Sequence, residues 1–204
     1  MKKIIENAKQ AIGVTLVMFV VCGLFYPLAM TGFAQTLFKE QANGSMVEAD
    51  GKVVGSALIG QAFTSPYYFQ GRVSAIHYNV YTPEDEAYSG ISSGTFNYAP
   101  SNPELINRIE EDVEAFLKAN PTVKREEIPA DLITASGSGL DPHISLEAAN
   151  IQINRIAQAS DLSIDEVKEI MKANTEGRPL GIFGEEKMNV LTANLDIYRK
   201  MNER

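Results

Sequence analysis

The sequence predicts an α/β fold in two parts: a single N-terminal transmembrane helix followed by one mixed α/β extracytoplasmic domain. Three observations carry that expectation. Residues 10–38 are 29 consecutive positions without a charged side chain, thick with Val, Leu, Phe, Ile and Met. The charge balance reverses across that stretch. Beyond it, segments of helical periodicity alternate with short apolar runs over roughly 170 residues, long enough to bury a sizeable core.

About 20 apolar residues in a helix, each rising about 1.5 Å, cross the hydrocarbon core of a bilayer. Residues 11–34 supply them. Lys2, Lys3 and Lys9 stand before the span against the single acid Glu6. Setting those three bases and one acid aside from totals of 18 and 26 leaves 15 basic and 25 acidic residues, a net of −10. Short Lys-rich flanks stay cytoplasmic. The expectation is therefore a cytoplasmic N-terminus at residues 1–10 and an extracytoplasmic domain at residues 35–204, in a single pass through the cell inner (plasma) membrane.

A secretory signal cut near Gly32-Phe33-Ala34 is the rival reading, but signal cores run about 7–15 residues and this one is longer. A lipid anchor at Cys22 is disfavoured by the bulky Val20 and Val21 before it. Cys22 is the only cysteine, which excludes an internal disulfide and a thiolate metal cluster. The acidic balance repels phosphate backbones, so the partners expected are membrane lipid and no nucleic acid. In the span, Ala11, Thr15, Cys22 and Ala29 fall within about 40° of one another on a straight helix. Such a small-residue stripe admits a second transmembrane helix, although small residues facing lipid are as common. Tyr26 and Pro27 follow near the outer end, where a kink or terminus is tolerated.

In the outer domain, residues 41–44 read as a turn and residues 53–63 (VVGSALIGQAF) as a strand. Residues 67–76 read as a second strand, entered through Pro66. Residues 82–101 are dense in Gly, Ser, Tyr, Asn and Pro, and long structured loops of this kind tend to bind something. That loop motivates the alternative function, a membrane-anchored sensor or solute-binding module. Ser101 or Asn102 caps a helix that opens with Pro103 and Glu104 and runs to Asn120-Pro121. Ser145 opens a second helix along Leu146, Ala149, Ile153 and Ile156. Ser163 and Glu166 form a capping box for a third, stopped by Gly177. Two further strands are expected at residues 131–135 and 189–195.

Catalytic patterns are thin. His143 and Glu147, four apart, would share one helix face, but two ligands do not make a zinc site. Asp141, His143 and the serines Ser136, Ser138 and Ser145 lie too close in sequence to converge as nucleophile, base and orienter, and no nucleophile elbow is present. ASGSG at residues 135–139 has backbone amides suited to an anion, yet it lacks both the P-loop ending and the dinucleotide glycine spacing. A strand-to-helix turn of small residues is the better reading. No catalytic, cofactor-binding or metal-binding residue is assigned.

Several segments in order resemble the C subunit of the Kdp potassium-transporting ATPase. These are Tyr26-Pro27, Thr31-Gly32, QANGS at 41–45, GSALIGQAF at 55–63 and YFQGRVSA at 68–75. PSNPEL at 100–105, TASGSGLDPHIS at 134–145 and a Gln152-x-x-Arg155 pair follow, then Arg178-Pro179-Leu180 and Asn189-Val190-Leu191. The chain has Arg72-Val73-Ser74-Ala75 where the family usually has Arg-Pro-Ser-Ala, and residues 90–98 depart from its Ser-Gly-Gly-Ser-Asn pattern.

The resemblance implies a non-catalytic accessory subunit of a high-affinity, ATP-driven potassium uptake complex. Its partners would be a channel-like A subunit, a P-type ATPase B subunit and a small F subunit. ATP and potassium ion would be used by the complex, with the C subunit raising the B subunit's affinity for ATP. The Asp-Lys-Thr-Gly phosphorylation motif is absent here. On this reading Arg72, Ser136, Ser138, Asp141, His143, Gln152 and Arg155, with Ala11, Thr15, Cys22, Tyr26, Pro27 and Ala29 of the span, shape the protein or contact partners.

Overall fold

Helix α1 runs Lys2–Leu37 and is long and apolar enough to cross a membrane. None of its residues is buried. The computed structural model describes residues 2–84 and 90–204, and the chain divides into two units, residues 1–46 and 47–204. The middle of the expected 82–101 loop, residues 85–89, therefore lies outside the described residues.

One turn of α1, Val21–Phe25, is π-helical, with the Tyr26 N–H donating to the Val21 carbonyl five residues back. The cause is next in sequence. Pro27 has no N–H, and its ring crowds the carbonyl of Gly23, four residues earlier. A widened turn relieves that crowding without ending the helix. The extra residue rotates everything beyond it by about 100°, so Ala29 leaves the line of Ala11 and Thr15 drawn for a straight helix. The chain breaks at Phe38 (φ −135°), and residues 41–44, expected as a simple turn, begin inside a helical turn, α2 (Lys39–Ala42). Gln35 and Asn43 exchange side-chain amide hydrogen bonds of 3.1 and 3.4 Å around this elbow.

The second unit carries two small antiparallel sheets among helices. Strands β1 (Met46–Ala49) and β2 (Lys52–Ser56) form a hairpin. Its turn, Asp50-Gly51, has positive φ at both residues (51° and 73°), the pairing that matches hairpin twist. The strand expected at 53–63 stops at Ser56, and the one expected at 67–76 shrinks to a single parallel bridge between Val73 and Ala135. Between them the chain is irregular.

Helix α3 (Pro103–Ala119) is capped by Asn102, whose side chain accepts from the Glu104 N–H at 2.9 Å. It buries Val113 and Phe116. The strand expected at 131–135 is mostly a helical turn, α4 (Ala130–Ile133). Strand β3 (His143–Ser145) leads into α5 (Leu146–Asn150) and α6 (Ile153–Ser160), two short helices where one was expected. Helix α7 (Ile164–Ala173) has the capping box of Ser163 and Glu166 and ends at Asn174, before Gly177. Strands β4 (Thr175–Glu176) and β5 (Lys187–Asn189) complete a sheet of order β3-β5-β4.

The last expected strand, 189–195, is largely helix α8 (Val190–Asn202), because the Asn189 side chain accepts from the Thr192 N–H and starts a helix there. Ile144 pairs with Met188 across the sheet. Around them Phe69, Ile153, Ile156, Val167, Ala193 and Ile197 form the core.

Candidate functional site

Residues 57–72 have almost no backbone pairing of their own, and side chains from the helices supply it. The Asn189 Nδ2 donates to the Ala57 carbonyl at 2.8 Å. The Asn194 amide closes on both backbone groups of Phe69, accepting from its N–H at 2.7 Å and donating to its carbonyl at 2.9 Å. Gln152 does the same to Gln70, at 2.9 and 3.2 Å. A primary amide offers one acceptor and two donors. Each of these side chains therefore stands in for a residue of a neighbouring strand.

Arg155 completes the clasp. Its guanidinium donates to the carbonyls of Pro66 and Tyr68, to Asn120 Oδ1 at 2.9 Å and to Gln152 Oε1 at 2.7 Å. Burial pulls its pKa down to about 10, which leaves it cationic at neutral pH. Gln152 is fully buried, and Arg155 nearly so.

A second cluster lies where β3 begins. Arg72 pairs with Asp141 at 2.9 Å, and Asp141 Oδ1 accepts from the His143 N–H at 3.0 Å. Burial by itself would raise the Asp141 carboxyl. The hydrogen bonds from His143 and Arg72, with the Arg72 charge, outweigh it and hold the carboxyl at about 2. Tyr78, whose hydroxyl donates to the Arg72 carbonyl at 2.5 Å, is pushed up to about 12 by burial and then by Asp141. The His143 ring sits between Asp141 (3.6 Å) and Glu176 (3.4 Å), with Lys187 Nζ at 3.4 Å. Burial alone would raise Glu176, but Lys187 and His143 hold it below the usual carboxylate range. Arg72, Asp131, Asp141, His143, Glu147 and Lys187 border a cleft of about 720 Å³.

The structure sorts the sequence candidates. Arg72, Asp141 and His143 come together, as do Gln152 and Arg155. His143 lies on a strand and Glu147 on the following helix, so the shared helix face does not form. Ser145 is committed to capping α5 and to Asp131, accepting from the Ala148 N–H at 3.0 Å and donating to Asp131 at 3.1 Å. Ser136 and Ser138 serve the loop. The Ser136 N–H donates to the Val73 carbonyl, and Ser138 accepts from Leu140 N–H through its hydroxyl and from Gly94 N–H through its carbonyl.

ASGSG is thus neither an anion cradle nor a strand-to-helix turn. It is a seam that ties residues 73–74 to residues 93–94. Gly139 (φ 69°) has no room for a Cβ, which would meet Ile76 at 2.7 Å and the Gly94 carbonyl at 2.9 Å. Gly60 is equally confined, by the Asp141 carbonyl at 2.5 Å.

Sequence reasoning missed Asn120, Asn189 and Asn194, which reach the irregular segment or anchor Arg155. Only Asn194 offered a signal, as a polar residue among the apolar positions of an amphipathic helix, while Asn120 ends α3 and Asn189 caps α8. In the span, Cys22 is an exposed free thiol. Among the described residues no group of three or more His, Cys, Asp or Glu is placed to hold a metal ion.

The family described as "K+-transporting ATPase, c chain" matches residues 8–199. A protein of Clostridium kluyveri is 52% identical over 204 residues, covering 98% of this chain and 97% of its own length. One of Clostridioides difficile is 52% identical over 200 residues, with 94% and 96% covered. One of Caldanaerobacter subterraneus is 49% identical over 198 residues, with 97% of each covered. All three are described as the potassium-transporting ATPase KdpC subunit.

Proposed function

The chain belongs to the KdpC family of potassium-transporting ATPase c chains, and from that premise we propose that it is the non-catalytic accessory subunit of an ATP-driven potassium uptake complex. The observation that carries this reading is the match over residues 8–199, which takes in anchor and outer domain alike. Helix α1 holds the chain in the membrane, with Lys2, Lys3 and Lys9 keeping its start cytoplasmic. The anionic domain stands outside, where it braces the ion-conducting A subunit and the ATP-hydrolysing B subunit, with the small F subunit, into one assembly.

The clasp around residues 57–72 and the Arg72–Asp141–His143 cluster give that domain a fixed shape. Most of their groups are bonded to one another, the buried Arg72 Nε being the exception among the described residues of these two clusters, which suits a brace better than a reaction centre. Any influence on the B subunit's affinity for ATP passes through α1 and through assembly, because ATP is bound in the cytoplasm and the domain is outside.

Affinity purification of the tagged chain from its native membranes tests the reading. The expected result is co-purification of a potassium-channel-like chain and a P-type ATPase chain. A chain that migrates alone and binds a small solute would replace the proposal with the sensor alternative.

A further inference from the structure

The β4–β5 hairpin ends in a tip, residues 177–186, that reverses the usual placement of apolar side chains. Leu180, Ile182 and Phe183 are 87%, 72% and 59% exposed. Single exposed apolar residues are ordinary, but three within four positions at one exposed turn form a patch. The patch is held outward rather than left slack. Leu180 takes a left-handed conformation (φ 55°) that β-carbon sterics oppose, followed by Gly181 at 75°. Gly181 N–H donates to the Arg178 carbonyl at 2.8 Å, and Ile182 and Phe183 both donate to the Pro179 carbonyl, at 3.3 and 3.1 Å. A backbone turn set in advance loses little freedom on docking.

The charges around the tip decide what it meets. Arg178 precedes the apolar residues, and the exposed Glu185 and Glu186 follow them. Lys187 is drawn back to Glu176 at 3.3 Å. A loop that enters a bilayer surface gains from several bases facing anionic headgroups. This one has a single base against two acids, on a domain of net negative charge. An apolar centre with an aromatic ring, and a charged rim that includes an arginine, is the composition of a protein interface.

We infer that residues 177–186 dock onto another subunit of the potassium-transporting ATPase, into an apolar pocket whose rim carries basic groups opposite Glu185 and Glu186. The inference rests on the accessory-subunit reading and adds to it the surface used.

Two substitutions in the tagged full-length chain, expressed with the other subunits, test it. Phe183→benzoylphenylalanine is irradiated in native membranes and its adducts identified by mass. The same photoreactive residue at Ile164, exposed on α7, is the control. An adduct joining position 183 to another ATPase subunit, absent from the control, is the expected result. L180S/I182S/F183S should recover about tenfold less of the partner subunits, since buried anchors dominate interfaces, with an unchanged thermal melt of the detergent-solubilised chain.

Adducts with lipid alone, or no protein adduct from a complex that co-purifies intact, would overturn the docking surface and leave the accessory reading standing. Undiminished recovery of the triple variant would do the same. A wild-type chain that brings down no ATPase subunit would overturn both.

Discussion

The clasp and the hairpin tip solve opposite problems. Around residues 57–72 the polar side chains are buried: Gln152, Asn194, Asn120 and Asn189 lie inside, and Arg155 lies among them. At residues 177–186 the apolar side chains are outside. The first region spends its buried amides and Arg155 on the protein's own backbone. The second presents surface that water does not favour, and α1 does the same along its whole length. A subunit divides its sequence in this way, with specificity locked inward and affinity turned outward.

Substitutions should separate the two regions by the size of their effect on stability. Arg155→Leu strands the carbonyls of Pro66 and Tyr68 and the side chain of Asn120 in the interior. We expect a loss of about 3–5 kcal/mol, the range for breaking a buried charged network from one side, read by denaturant unfolding of the solubilised chain. Arg155→Lys should recover part of it, because an ammonium keeps the charge but cannot serve the same fork of acceptors. Asn194→Ala leaves both backbone groups of Phe69 unpaired and should cost about 2–3 kcal/mol by the same measurement.

The Asp141 carboxyl predicts an acid-side effect of about 2 kcal/mol. A carboxyl held at about 2 contributes stability that is fully present above its ordinary value near 3.8 and is lost as pH falls through about 2. The chain should therefore lose stability as pH falls through that window, and Asp141→Asn should flatten that slope while lowering stability at neutral pH. Ser163→Ala removes one half of the α7 capping box and should cost about 1 kcal/mol. Leu180→Ser, at the tip, should change stability by less than about 0.5 kcal/mol. A large loss there would mean that the tip is part of the domain's own packing.

Much of this was legible in the sequence, and the failures share a cause. Helix α1 could be read from 29 uncharged positions, and α3 and α7 from caps followed by apolar positions at helical spacing. Residues 189–195 carry Val190, Leu191 and Leu195, which suit strand or helix equally over so short a run. The capping bond from Thr192 to Asn189 decided for helix. Residues 57–63 and 67–72 read as strands from their apolar and aromatic runs, but the chain turns at 57–58 and at 67, and the bonds that hold Ala57, Phe69 and Gln70 come from amide side chains some 80 to 130 positions away. No local pattern announces such a pairing.

Gln152 and Arg155 are visible in the sequence through family resemblance, whereas their chemistry, a cation bonded to a neutral amide with each serving different backbone carbonyls of residues 66–70, needed the fold. The π turn was foreshadowed only by Pro27, which signals a disturbance without its form.

The most direct test removes the outer domain and keeps the anchor. Cells that depend on this transporter for growth at limiting external potassium would receive either the full chain or residues 1–46 alone. The accessory-subunit reading requires that residues 1–46 reach the membrane yet fail to restore high-affinity uptake, and that the full chain restore it. Full uptake supported by residues 1–46 would contradict the claim that the outer domain braces the complex.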